Sequence, residues 1–288
     1  MKYLIYCFFL LLTTGTCIGQ VNDNNSFFDY SYDKEKIKKR SIASITICPY
    51  MNGKALSKGK YDFDKEGRLL SIHFFDSSGK PKSEYEYGFN DHNDVISRKN
   101  NDHEYGTSYE ERFYKKYEGN KLVFDSSTVL PVWYEYKYTK NGNLLQTITH
   151  NKFDSSIIVI IGNEYDASNK LIAISEKQYR DGKDTIGEFI SHRIIHYDEK
   201  HRKIKEEELI SNDNSFLMIN KGSIEYAYDS IGNLIQIKRE KAASRFYKYD
   251  RNGLIVSVKM DMDLKDDLPD GSEIKIISGD GYTYEFRK

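Results

Sequence analysis

Proline is nearly missing from this chain, at 4 of 288 residues, and cysteine is scarcer still at 3. Few prolines leave the backbone free to build long hydrogen-bonded ladders and argue against disordered linkers. Cys7 and Cys17 lie in or beside an N-terminal segment expected to be removed, which leaves Cys48 alone. One cysteine forms no internal disulfide, so packing and ladders must hold the fold. Cys48 closes the alternation Ile45-Thr46-Ile47-Cys48, which predicts a small buried strand residue rather than a nucleophile. A dominant charge is lacking too: the formal net charge is −1 with 30% charged residues. With both signs interspersed there is no strongly basic face, and nucleic acid is not an expected partner. The sequence has no G-x-S-x-G elbow, H-E-x-x-H pair or phosphate loop, so it names no reaction and no cofactor.

The N-terminus reads as a secretory signal. Lys2 precedes the apolar run Tyr3–Leu12, and small polar residues Thr13, Thr14, Gly15 and Thr16 follow. That run is too short for a permanent bilayer helix. Cleavage is expected after Gly19, giving a signal peptide over residues 1–19, a tether and lead-in over 20–40, and a single repeat domain over 41–288. A lipidated Cys17 is the competing reading, although Thr14-Gly15-Thr16 makes a poor lipobox. Either way the protein is expected to be secreted, or to sit in the periplasm or on the outer surface of a Gram-negative bacterium.

What the chain has in quantity is tyrosine, 24 residues, and most of it falls in a recurring string. Tyr226–Ile237 reads Y-A-Y-D-S-I-G-N-L-I-Q-I, and Tyr61–Ile72 reads Y-D-F-D-K-E-G-R-L-L-S-I. Tyr226 and Tyr228 alternate with Ala227 at the period of a strand. Asp229 opens a turn by accepting N–H groups just ahead, and Gly232 supplies the positive φ that starts the return strand. The apolar Leu234–Ile237 segment then returns. The expected register sets Tyr228 opposite Leu234, Tyr226 opposite Gln236, and Ala227 opposite Ile235.

The aromatic before the turn recurs at Phe63, Phe89, Tyr117, Tyr138, Tyr165, Tyr197, Tyr228 and Tyr249, spaced 21 to 32 residues apart. Gly or Asn closes most of the turns. His201 is the exception, and the poorest turn geometry is expected there. Tyr282–Phe286 begins one more copy or serves as a closing strand. Stacked hairpins that each bury too little alone predict an all-β fold, one long curled antiparallel sheet that ends as an open spiral or a wide barrel.

These copies resemble YD repeats, the Tyr-Asp units of the Rhs and teneurin families. The resemblance rests on Tyr228-Asp229 through Gly232-Asn233-Leu234, on Phe63-Asp64 through Gly67-Arg68-Leu69, and on Tyr249-Asp250 and Tyr165-Asp166. It covers most of residues 60–258 and implies hairpins coiling into a hollow shell. No effector domain or Asp-rich self-cleaving segment is evident, so the toxin role of some members is not carried over. The chain also resembles small secreted repeat proteins of Bacteroidetes type, some with porin-like antiparallel sheets.

Candidate chemistry is sparse. His192 and His196 have the spacing of a helical zinc pair, but on a strand they stand roughly 13 Å apart at ~3.3 Å per residue, too far for one metal. Asp261, Asp263, Asp266, Asp267 and Asp270 suggest calcium by acid density, though their spacing is wrong for an EF-hand and a solvated loop is the simpler reading. The repeat Asp residues are explained by turn chemistry and need no acid–base role. Rows of exposed tyrosine (Tyr136, Tyr138, Tyr226, Tyr228, Tyr247, Tyr249) are the candidate binding surface, for glycan or for a protein partner. Glu135, Lys137, Lys238, Glu240 and Lys248 are expected to place charge on both strand faces, against a lipid-facing band. The sequence therefore reads as a non-enzymatic scaffold or binding module for glycan or cell-envelope polymer. A protein–protein shell partner is the alternative. A hydrolase with its site in an inter-repeat segment such as Glu104–Phe113 is the remote third.

Overall fold

The computed structural model describes residues 34–51, 54–155, 157–180, 188–211, 218–239, 244–263 and 275–287. The expected signal peptide and acidic residues Asp266, Asp267 and Asp270 lie outside them. Among the described residues one short helix, α1 (Lys34–Lys39), stands at the end of the lead-in. The strands that follow are β1 (Ile42–Met51), β2 (Lys54–Ala55), β3 (Ser57–Phe63), β4 (Leu69–Asp76), β5 (Pro81–Phe89), β6 (Val95–Asp102), β7 (Thr107–Glu118), β8 (Lys121–Ser127) and β9 (Val132–Tyr138). They continue with β10 (Leu144–Asn151), β11 (Ile157–Tyr165), β12 (Leu171–Arg180), β13 (Glu188–Tyr197), β14 (Lys203–Ser211), β15 (Met218–Tyr228), β16 (Leu234–Arg239), β17 (Ser244–Tyr249), β18 (Ile255–Asp263) and β19 (Lys275–Phe286).

Each strand from β3 onward pairs antiparallel with the next, and β1 pairs with both β3 and β19. The two-residue β2 is a lip on β1, so the closed ring has 18 strands. The sheet is a barrel, and the open spiral is excluded. Closure also removes the exposed edges that a long sheet would otherwise present.

The eight repeat turns all stand at one end of the barrel, because each joins the first strand of a hairpin to its return strand. In the turn after β15, Asp229 Oδ1 accepts the N–H groups of Ile231 and Asn233 at 3.1 and 2.8 Å. The Gly232 N–H donates to the Asp229 carbonyl, with Gly232 at φ +95°. The hairpin register differs from expectation by one residue. Tyr228 does face Leu234, but Ala227 faces Gln236 and Tyr226 faces Ile237. Ile235 is the extra residue of a bulge at the turn, and the bulge moves every pair beyond it.

The His201 turn is as regular as its neighbours, contrary to expectation. Its φ of 61° matches the 63° of Asn93 and Asn169, and Asp198 accepts the Arg202 N–H at 2.8 Å. The local hydrogen bonds hold the geometry, and the side chain carries the strain. His201→Gly is expected to stabilise the barrel by about 0.5–1 kcal/mol, because left-handed backbone is unfavourable for a residue with a Cβ. Urea unfolding checks this, and an unchanged or lower midpoint would reject it.

Directly paired residues share a face, so register assigns the two faces of the wall. Ile45, Tyr61, Ile72 and Tyr85 form one row across β1, β3, β4 and β5. Their face carries most of the buried core, which also takes in Tyr87, Tyr226, Ile237, Tyr247, Val258 and Tyr282. This face lines the bore. The opposite face carries Lys60, His73, Glu84, Lys99, Glu110, Glu135, Lys137, Lys238 and Lys248 and points outward. The charges named from the sequence thus share the outer face, and the bore face carries others, among them Arg98, Glu111, Glu206 and Asp280, so both faces are charged as expected; Glu240 lies outside the described residues. Cys48 also faces outward and is only half-buried, not the core residue expected.

The buried apolar cluster runs along β15–β19, β1 and β3–β6, and Ile37 of α1 joins it. The helix ties two turns together across the closure. Lys36 Nζ and the Arg40 guanidinium donate to the carbonyls of Gly253 and Asn252, while Lys38 Nζ meets Glu66 at 2.6 Å. Arg287 completes the junction by donating to the carbonyls of Phe63 and Asp64.

Candidate functional site

The six candidate tyrosines do not form one exposed row. Tyr226 and Tyr247 are buried on the bore face. The Tyr226 hydroxyl donates to Glu206 Oε1 at 2.9 Å, and Lys203 Nζ lies 4.5 Å from its ring centroid. Tyr138, Tyr228 and Tyr249 are half-buried, with hydroxyls donating to the carbonyls of Leu122, Lys203 and Leu234 at 2.8, 2.8 and 2.7 Å. Tyr136 lies on the bore face beside Tyr134, ring centroids 6.5 Å apart.

Those hydroxyl bonds belong to a repeating device. Tyr165, Tyr197 and Tyr284 donate in the same way to the carbonyls of Leu144, Leu171 and Ile255, at 2.7, 2.7 and 2.8 Å. Each anchor thus grips a carbonyl at the start of the preceding return strand, where the bulge interrupts the ladder. Burial pushes the Tyr249 hydroxyl up to about 12, with Asp229 and Tyr228 adding to the effect, so it stays a neutral donor. Cations add a second contact: Arg68, Lys121, Lys170 and Arg202 lie over the anchor rings of Phe89, Tyr138, Tyr197 and Tyr228. Recurring Tyr and Lys or Arg at fixed offsets from the turn was the available signal, and periodicity alone could not assign it to hairpin-to-hairpin bonding.

The turn carboxylates are likewise committed. Asp250 is held below the usual carboxylate range chiefly by the Leu254 N–H, and Asp166 chiefly by the Ser168 hydroxyl. A sixth carboxylate of this kind, Asp76, makes the same turn at the opposite end with Gly79 at φ +86°. The string Phe75-Asp76-Ser77-Ser78-Gly79 carried the motif, but it falls between two recognised copies.

Glu104–Phe113 is not a long loop. Glu104 sits in a tight turn, and Thr107–Phe113 is the first part of β7. Glu111 there is fully buried, 2.7 Å from the Arg98 guanidinium and accepting the Ser127 hydroxyl. His192 and His196 lie on β13, as their strand reading requires. Among the described residues no group of three or more His, Cys, Asp or Glu is placed to hold a metal ion.

One bore-facing carboxyl is strained. Asp280 of β19 is 4% exposed, and burial pushes its pKa up to about 6, with Arg245 partly offsetting the shift. A carboxyl raised in the folded state favours folding only while it is protonated. That contribution is complete below the ordinary value of 3.8 and is lost as pH rises through about 6. Asp280→Asn is therefore expected to raise stability by about 1–2 kcal/mol at neutral pH and by almost nothing near pH 4. Thermal unfolding at both pH values tests this, and an equal shift at the two would reject it.

The outer connections opposite the repeat turns differ in kind. Lys152 binds two of them together, its N–H donating to the Pro131 carbonyl at 2.7 Å and its Nζ to Leu130 at 2.9 Å and to Ser127. Val129, Leu130 and Phe153 on these connections are 54%, 42% and 89% exposed. Behind them on the outer wall, Trp133 and His150 stack with centroids 3.6 Å apart.

Fold and surface together define a closed β-barrel built from hairpin repeats. No family model matches the chain, and no curated protein matches it. Among solved structures it is similar to a porin-like protein from Bacteroides uniformis, at 12% identity and a TM-score of 0.45, over 85% of this chain and 98% of that one. It is also similar to TcdB2-TccC3 without its hypervariable C-terminal region, at 14% identity and a TM-score of 0.39, over 78% of this chain and 14% of that one. The Photorhabdus luminescens Tc holotoxin pore is a third such structure, at 12% identity and a TM-score of 0.37, over 80% and 14%.

Proposed function

We propose that this chain is a secreted, non-enzymatic β-barrel scaffold that engages a protein partner through the end opposite its repeat turns. The observation that carries the reading is the exposed apolar knob of Val129, Leu130 and Phe153, whose two connections are pinned together by Lys152. Apolar side chains on ordered loops above a rigid frame are the usual build of a recognition surface. At the other end the tips are mostly polar, with Ile231 the exposed exception. The outward charges disfavour a lipid-facing wall. Secretion rests on the N-terminal layout of Lys2, the Tyr3–Leu12 run and the small residues after it.

The test places a photo-crosslinking side chain at position 153 or at position 231 in the full chain and exposes it to envelope extract. A discrete protein adduct is expected from 153 alone. Changing Val129, Leu130 and Phe153 together to Ser should abolish capture while leaving the unfolding midpoint within about 0.5 kcal/mol. Equal adducts from both positions, or none, would sink the reading.

A further inference from the structure

We infer that the bore-facing side of the β6–β7 hairpin is a binding site for a neutral saccharide, centred on Asn100 and Tyr109. This goes beyond the partner surface on the outer loops and uses different residues.

The row Ile45–Tyr61–Ile72–Tyr85 continues through Asn100 of β6 to Tyr109 of β7, because each is the direct cross-strand partner of the last. Burial relaxes along it. Ile45, Tyr61 and Ile72 are sealed, Asn100 is 8% exposed, and Tyr109 is 44% exposed. The wall itself explains the change. β7 runs from Thr107, but its ladder with β8 begins only at Phe113, so Tyr109 has no β8 partner in that ladder. The hairpin stands above its neighbour and leaves the bore side of Tyr109 open to water.

Between the two tyrosines lies an acceptor with nothing to accept. Asn100 Oδ1 is buried and has no hydrogen-bond partner. Such an atom carries a desolvation penalty of about 1–3 kcal/mol unless a donor reaches it. The rings of Tyr85 and Tyr109 are its cross-strand neighbours on either side. Aromatic surface beside a fixed amide acceptor suits a pyranose, which offers C–H faces to the rings and O–H donors to the oxygen.

The local charges select against an anionic ligand. Arg98, next along the same face, is paired with Glu111 at 2.7 Å. Asp102 accepts the N–H groups of Glu104 and Tyr105 at 2.9 and 3.0 Å. Asp102 keeps its negative charge, which repels an anion, so recognition falls to hydroxyls.

Isothermal titration of the full chain with glucose, galactose and N-acetylglucosamine, and with sodium sulfate as the ionic probe, tests the site. Saturable binding of at least one neutral sugar and none of sulfate is expected. Tyr109→Ala and Asn100→Ala should each weaken it by at least about tenfold, whereas Tyr109→Phe should retain most of it. Tyr109 is exposed, so its variants keep the fold, and thermal unfolding confirms that for all three. No sugar binding, or binding untouched by both alanine variants, overturns the site. The Ser variants of the outer loops should leave sugar binding intact, which separates this outcome from that of the partner surface.

Discussion

Deletion of residues 275–288 is expected to abolish cooperative folding of the barrel. β19 is the closing strand: it pairs with β1 from Ile42 to Met51 and with β18 from Ser257 to Asp263. Removing it strips Ile45 and Ile47 of a flanking neighbour, and both are almost fully buried. Exposing two such side chains forfeits about 1.5–3 kcal/mol each. Loss of Tyr282 and exposure of Val258 add to this, so the total rivals the roughly 5–15 kcal/mol of net stability typical of a domain. The deletion also creates two edge strands, whose unpaired N–H and C=O groups invite association between chains. Size-exclusion chromatography should show aggregates, and amide exchange should show β1 unprotected. A monodisperse truncated protein with β1 amides still protected would show that closure does not support the fold. Arg287→Ala is the milder comparison, since it removes only the side-chain donors to Phe63 and Asp64.

Glu111→Ala should destabilise the barrel by about 3–5 kcal/mol, because it leaves the Arg98 guanidinium largely buried without its carboxylate. Arg98 is 19% exposed at its side chain and Glu111 is wholly enclosed, so little water can replace the missing charge. The Ser127 hydroxyl loses its acceptor as well. The paired change Arg98→Leu with Glu111→Leu should cost far less, since removing both charges removes the desolvation penalty too. Urea unfolding of the single and double variants gives the comparison. If the double variant were as unstable as the single one, packing volume rather than charge pairing would account for the loss.

Much of this barrel was legible in the sequence, and the reasons are local. Asp229, Gly232 and their counterparts encode turns through bonds that reach no further than four residues. Alternation around Tyr226 and Tyr61 encodes strands in the same way. The bulge at Ile235 escaped because a one-residue register shift depends on how the return strand meets the turn, which the pattern of residue types does not specify. The candidate site was partly legible. Tyrosine abundance marked the aromatic chemistry, but the six chosen positions include Tyr226 and Tyr247, which face the core. Tyr109 looked like part of an inter-repeat segment, and only the unequal lengths of β7 and β8 give it an open flank.

The sequence by itself determined the hairpin unit, its antiparallel pairing and its turn chemistry, because each arises within about a dozen contiguous residues. Tertiary structure alone decided whether the row of hairpins closes, which face lines the bore, and that Arg98 and Glu111 meet inside it. Closure depends on twist accumulated over the whole sheet until β19 returns to β1, a long-range sum that no single repeat contains.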